Sequence, residues 1–184
     1  MNKILLIITG SIAASRCKEI IALLNINEVK ISCILTKEAK KYVKISDIKK
    51  LLKNRIFTDE DEKKNKMLHI NLSRDNDIIV MCPATANSIA KFANGYGDNL
   101  ASNTLLASNK KILFVPAMNS FMWHNKINQK NVRLLKDSGH EFIGPKVGNL
   151  KCGEFGLGRI DNSRNIVNRI LTRLENISLL KDKK

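Results

Sequence analysis

Lys111-Ile112-Leu113-Phe114-Val115-Pro116-Ala117-Met118-Asn119-Ser120-Phe121-Met122-Trp123 is the stretch from which the fold is read. Its first residues form a short apolar run, the signature of a strand buried on both faces of an α/β sheet. Pro116 has no N–H to give to a ladder and fixes its own φ, so the strand is expected to end there. The chain then presents an amide, two thioethers and an indole at the carboxyl end of a strand, where open α/β sheets place their ligands. Asn119 can both donate to and accept from a substrate, with Met and Trp as an apolar wall. An ordinary strand-to-helix loop with Met122 and Trp123 in the core fits the same residues.

The pattern repeats on either side. Residues 4–9 read as a first strand ending in Thr9-Gly10-Ser11-Ile12-Ala13-Ala14, with a helix expected over 12–24. A strand, a Gly-Ser turn and a helix N-terminus together make an anion site, although Ser11 also suits a plain N-cap. No GxGxxG is present, so one phosphate, as on a mononucleotide, fits better than a dinucleotide. Residues 29–35 are a second strand, ended by Thr36. Residues 77–82 are a third, stopped by Pro83 and followed by Ala84-Thr85-Ala86-Asn87-Ser88, a second anion-capable helix start. Two such turns and Asn119 converging on one sheet edge point to a phosphate-bearing cofactor. Further helices are expected over 100–108 and 131–138, then a short strand over 140–143.

The remaining features narrow the class. A chain of 184 residues, 43% hydrophobic and 27% charged, suits one soluble domain. No apolar run approaches the roughly 20 residues that span a bilayer. No signal-peptide pattern opens the chain, so a cytoplasmic location without membrane partners is expected. The net charge of +15 is dispersed, without an aromatic-studded basic stripe, and nucleic-acid binding is not expected. Cys17, Cys33, Cys82 and Cys152 have no metal-ligand or disulfide spacing; Cys33 and Cys82, in apolar runs, are expected to be buried and inert. Residues 46–66 read as a charged, solvated helix and connection. His69 suits proton transfer or a satisfied core position, and Arg74 suits a carboxylate or phosphate. Gly148-Asn149-Leu150-Lys151-Cys152-Gly153-Glu154-Phe155-Gly156-Leu157-Gly158-Arg159 reads as a mobile flap, whose Cys acts only if it folds over a site. A final amphipathic helix is expected from about 162, with a basic tail over 176–184.

Five motifs in order carry a resemblance: Gly10-Ser11-Ile12-Ala13-Ala14, His69-Ile70-x-Leu72, Pro83-Ala84-Thr85-Ala86-Asn87, Pro116-Ala117-Met118-Asn119 with Met122-Trp123, and Cys152-Gly153-Glu154-x-Gly156-x-Gly158-Arg159. Over about residues 3–175, within a flavoprotein domain expected at 1–175, the chain resembles the homo-oligomeric flavin-containing cysteine decarboxylases. The resemblance implies a Rossmann-like, flavodoxin-type three-layer sandwich with a central parallel sheet, binding FMN and no metal. Its implied substrate is the small molecule 4′-phosphopantothenoylcysteine, decarboxylated to 4′-phosphopantetheine in coenzyme A biosynthesis. The implied route is transient oxidation to a thioaldehyde by the flavin, loss of CO2 and re-reduction. Gly10, Ser11, Ile12, Thr36, Thr85, Ala86, Asn87, Ser88 and Ala117 would contact FMN. His69 would be the base, Cys152 the acid, and Asn119 would hold the substrate carboxylate. Arg74, Met122, Asn149, Leu150 and Lys151 would contact substrate. The family forms trimers, or dodecamers built of trimers, with a site shared between subunits; a separate phosphopantothenate–cysteine ligase is expected as a partner. A peptidyl-cysteine decarboxylase of lantibiotic-type peptide maturation, which normally lacks the Cys-Gly-Glu flap, is the alternative within the class. A flavin prenyltransferase shares the fold without these motifs, and a non-enzymatic flavoprotein regulator of a phosphatase is the alternative outside enzymes.

Overall fold

The computed structural model describes residues 2–52 and 55–181. In chain order it contains β1 (Lys3–Ile8), α1 (Cys17–Ile26), β2 (Lys30–Leu35), α2 (Ile45–Leu51), β3 (Ile56–Phe57), α3 (Asp59–Lys64) and α4 (Leu68–Arg74). There follow β4 (Ile78–Ala84), α5 (Ala86–Ala93), α6 (Leu100–Leu106), β5 (Ile112–Pro116), α7 (Ser120–His124), α8 (Lys126–Asp137) and β6 (Glu141–Phe142). The chain closes with β7 (Lys146–Asn149), β8 (Phe155–Arg159) and α9 (Ser163–Lys181). Among the described residues, six strands form one parallel sheet in the order β3-β2-β1-β4-β5-β6. The order reverses between β1 and β4, the switch point where such sheets open a crevice.

The sheet forms because its strands are apolar on both sides. Ile4, Leu6 and Ile8 of β1 join a core layer with Ile20, Ile21 and Leu24 of α1 and Ile166 and Ile170 of α9. Leu5 and Ile7 face the opposite layer, with Leu68 and Leu72 of α4, Ile89 of α5 and Leu105 of α6. Successive residues point to opposite faces, so both must be covered by helices. Each buried Leu or Ile contributes about 1.5–3 kcal/mol relative to leaving it in water. This three-layer sandwich is the expected architecture.

Five local expectations are corrected. The strand expected to stop at Pro83 runs through it to Ala84. Its register against β5 shifts between Met81 and Ala84, and Pro83 sits in that irregularity, where a missing N–H breaks no regular ladder. The first helix opens as a 3-10 turn, Ile12–Arg16, before α1 begins. The helix expected from 131 starts at Lys126, because Asn125 caps it by accepting from the Ile127 N–H at 2.9 Å. The glycine-rich stretch is a structured element: β7 and β8 pair antiparallel as a hairpin. At the C-terminus α9 continues to Lys181, across most of the expected basic tail. Residues 182–184 of that tail, and residues 53 and 54 of the charged connection, lie outside the described residues. Among the described residues no helix is long and apolar enough to cross a membrane.

Candidate active site

A cavity of about 900 Å³ opens at the carboxyl edge of the sheet, over the switch point. Its wall is made by the turns that follow β1, β2, β4 and β5, and its roof by the β7–β8 hairpin. Gly10, Ser11 and Ile12 line it from the first turn and Thr36 from the second. Thr85, Ala86, Asn87 and Ser88 contribute the opening of α5. Ala117, Asn119 and Met122 follow β5, and Asn149, Leu150, Lys151 and Cys152 reach it from the hairpin. Residues far apart in sequence are thus brought to one place, as the motifs suggested.

Each turn is locked by its own chemistry. Ser11 is extended and its Oγ accepts from the Ala13 N–H at 3.2 Å, so the plain N-cap reading is true and the hydroxyl still faces the cavity. Gly10 is required by space: a Cβ there would stand 2.4 Å from Glu38 Cβ. Thr85 caps α5, accepting from the Ser88 N–H at 3.2 Å, with the two hydroxyl oxygens 2.9 Å apart. The leading N–H groups of α5 have no intrahelical acceptor and lie along the cavity wall, an arrangement suited to an anion. Thr9 Oγ1 donates to the Pro83 carbonyl at 2.6 Å and ties the first turn to the third. Lys37, Lys151 and Arg159 add positive charge to the lining.

Asn119 sits where wall and roof meet. It is the N-cap of α7, its Oδ1 accepting from the N–H groups of Phe121 at 2.7 Å and Met122 at 3.3 Å. The oxygen is therefore committed to the helix, and only the amide nitrogen can meet a ligand. That nitrogen donates to the Glu154 carboxylate and lies 3.6 Å from Cys152 Sγ. The two candidate groups are neighbours although 33 residues separate them. The hairpin is held there by backbone contact: the Met118 N–H donates to the Gly158 carbonyl at 3.0 Å, and a Cβ on Gly158 would fall 2.3 Å from Met118 O. Gly156 meets Ser120 as closely, its absent Cβ lying 2.6 Å from Ser120 Oγ. These glycines permit the close approach of hairpin and wall. Met122 lines the cavity, while Trp123 is buried in the core, as the loop reading of that pair had it for Trp123.

His69 and Arg74 are not brought to this cavity. Both lie on α4, Arg74 exposed at its end and His69 half-buried against α3. Glu62 Oε1 stands 3.0 Å from His69 Nδ1. The segment expected to be simply solvated is thus partly turned inward. Asp59 Oδ1 accepts from the Leu100 N–H at 3.0 Å, and Asp59 also lines the cavity. The Asp59-x-x-Glu62 spacing, which places both carboxylates on one helical face, was the available signal. Glu154 was missed as a contact of Asn119 because it could be placed only once the hairpin was known. Cys33 and Cys82 are buried, as expected, and Cys17 is buried as well. Burial pushes Cys33 up to about 12, and contact with Cys82 followed by burial raises Cys17 well above its ordinary value.

The chain matches the flavoprotein family model over residues 1–175, and it belongs to that family. It is 32% identical over 177 residues to the "probable phosphopantothenoylcysteine decarboxylase" of Streptococcus mutans, covering 94% of this chain and 99% of the relative. It is 34% identical over 185 residues to the coenzyme A biosynthesis bifunctional protein of Borreliella burgdorferi, covering all of this chain and 47% of that protein. The chain therefore spans about half of that bifunctional relative. Among solved structures it is similar to a Cys→Ser mutant of PPC decarboxylase complexed with pantothenoylaminoethenethiol: TM-score 0.85, 28% identity, 95% of this chain and 98% of that one. The FMN binding protein AtHal3 gives TM-score 0.85 at 28% identity, over 95% and 97% of the two chains.

Proposed function

We propose that this chain is an FMN-dependent carboxy-lyase that converts 4′-phosphopantothenoylcysteine to 4′-phosphopantetheine in coenzyme A biosynthesis. The observation that carries the reading is the meeting of Asn119, Cys152 and two anion-suited turns on one cavity. Near full-length similarity to the Streptococcus mutans protein supports the substrate. Residues 1–175 act as one flavin-binding domain, in the cytoplasm, where coenzyme A is made.

The cavity fits a flavin mononucleotide. Gly10 lets the backbone close against Glu38 beneath it, and Ala86 and Ala117 keep the wall low enough for a flat ring. Ser11, Ser88 and the leading amides of α5 offer donors for one phosphate. Gly10, Ser11, Ile12, Thr36, Thr85 to Ser88 and Ala117 are the residues that hold it. When bound, FMN supplies a reversible two-electron sink, which a β-thiol amino acid lacks and needs for CO2 to leave.

The chain's own residues then divide the work. The Asn119 amide nitrogen binds the substrate carboxylate, exchanging its hydrogen bond to Glu154 for one to the substrate. Its oxygen stays on α7 and fixes the amide's orientation. The Cys152 thiol, 3.6 Å away, delivers a proton to the substrate carbon after CO2 has left. Met122, Asn149 and Leu150, which line the cavity, contact the substrate, and Lys151 meets its phosphate. His69 takes the substrate thiol proton. It lies outside the cavity of its own subunit, so the active species is a trimer, or a dodecamer of trimers, in which one subunit lends α4, with Arg74, to its neighbour's cavity. The substrate is the product of a phosphopantothenate–cysteine ligase.

The test is incubation of FMN-loaded protein with 4′-phosphopantothenoylcysteine and, separately, with peptides ending in cysteine, following mass. Loss of CO2 from the first alone supports the reading. Loss from the peptides alone replaces it with a peptidyl-cysteine decarboxylase. Full FMN occupancy with no turnover of either favours a non-enzymatic regulator.

A further inference from the structure

Glu62, which belongs to no motif, stands beside His69 in a cluster that the cavity does not contain. Glu62 Oε1 lies 3.0 Å from His69 Nδ1, with the two side chains 18% and 26% exposed. The Nδ1 atom itself is shut off from solvent and has no hydrogen-bond partner among the described residues; the contact with Glu62 has the distance of a hydrogen bond but not its angle. The exposure of His69 therefore belongs to its other atoms, and Nε2 is the ring nitrogen left for an incoming group. A carboxylate at this depth costs free energy unless a positive or donating group answers it. Two groups do: the imidazole, and Asn103 Nδ2, which donates to the same Oε1 at 3.1 Å.

Glu62 is held in place from both sides. Its helix α3 opens with a capping box, in which Asp61 Oδ2 accepts from the Thr58 N–H at 2.9 Å. Asp59 fastens the same helix to the start of α6. Asn103 is on α6, and Gly97 crowds it, since a Cβ on Gly97 would stand 2.6 Å from Asn103 Oδ1. The carboxylate is thus aimed at His69 by two anchored helices, α3 and α6.

We propose that Glu62 is a positioning residue for His69: it selects the imidazole tautomer with the proton on Nδ1, leaving the Nε2 lone pair outward as the base. A small ring rotation completes the Nδ1–H···Oε1 bond. When Nε2 takes the proton of a substrate S–H, the thiol becomes a thiolate and the ring an imidazolium, whose charge the Glu62 carboxylate stabilises. This deepens the proposed function and rests on its reading of His69 as the base.

The measurement is the pair of ¹⁵N shifts of the His69 ring, from long-range ¹H–¹⁵N correlation spectra of the unaltered protein and of Glu62→Gln above pH 8. The Nδ1–H form is expected in the unaltered protein. In Glu62→Gln the side-chain NH2 can donate to Nδ1 and invert the tautomer, and kcat falls about 10- to 100-fold with FMN occupancy and KM nearly kept. An Nε2–H tautomer in the unaltered protein overturns the proposal, and so does a Glu62→Gln variant with unchanged tautomer and rate. His69→Asn separates the two layers. If it is inactive while Glu62→Gln is fully active, only the role of Glu62 falls; if it keeps the full rate, the base reading falls and takes that role with it.

Discussion

The wall and the roof of the cavity differ in how they are held. The wall rests on strands whose residues are almost wholly buried: all of β4 and β5, and β1 beyond Lys3. The roof is a two-stranded hairpin, mostly exposed or half-buried, seated on the wall through Gly156, Gly158 and the Asn119 side chain. Both parts line the cavity: the wall brings Gly10, Ser11, Thr85 and Asn119, and the roof brings Lys151 and Cys152. On the proposed function, a substitution in the buried strands of the wall should unfold the protein before it changes the reaction, and one at Cys152 in the roof should do the reverse.

Cys152→Ser is the sharpest probe of the roof. Loss of a positioned acid lowers kcat about 10²- to 10⁴-fold, with melting temperature and FMN affinity unchanged. A variant that melts early would show the roof to be structural and erase the contrast. Phe114→Ala probes the wall. Phe114 is fully buried, stacked on Phe142 at 5.0 Å between ring centroids and edge-on to His140 at 6.0 Å. Its truncation should cost about 3–5 kcal/mol in urea denaturation, while the fraction still folded keeps its turnover per bound flavin.

Gly158→Ala tests the junction. A methyl group placed 2.3 Å from Met118 O must push the hairpin off the wall, at a cost of about 1–3 kcal/mol. Turnover should fall more steeply than FMN affinity; equal losses in both would mean that roof and wall move as one. The smallest effect is one of pH. Burial and then the Lys111 charge hold the His140 imidazolium below its ordinary pKa, and the neutral Nδ1 accepts from the Ile112 N–H at 3.1 Å. The unfolded chain therefore binds this proton first. The His140 contribution is complete above about pH 6.5, the ordinary histidine value, and is lost as pH falls toward the lower folded value. Melting curves from pH 7.5 to 5 should show that slope, and His140→Asn should flatten it.

The same division explains what could be read from the sequence. The elements of the wall were legible because an apolar strand before Thr9-Gly10-Ser11 and before Ala84-Thr85 and a helical pattern after it dictate a strand, a turn and a helix start, whatever else the turn residues do. Pro83 does not end β4 as its chemistry suggests, since a proline ends a regular ladder but is accommodated at a register shift. The roof was not legible, because glycine serves both freedom and close contact. At Gly156 and Gly158 the deciding atoms, Ser120 Oγ and Met118 O, lie about 40 residues earlier in the chain. The charged run 59–64 was ambiguous for a similar reason. Asp59 and Glu62 face inward only because the Leu100 N–H and the Asn103 amide are there to meet them.

The central claim is that Cys152, carried by the roof, completes a reaction begun in the wall. The most direct measurement is a single turnover of 4′-phosphopantothenoylcysteine by FMN-loaded protein and by Cys152→Ser, quenched and analysed by mass. The unaltered protein should yield 4′-phosphopantetheine, and the variant should stop at the decarboxylated, still oxidised enethiol. Intact substrate in the variant, or finished product from it at the unaltered rate, would contradict the account.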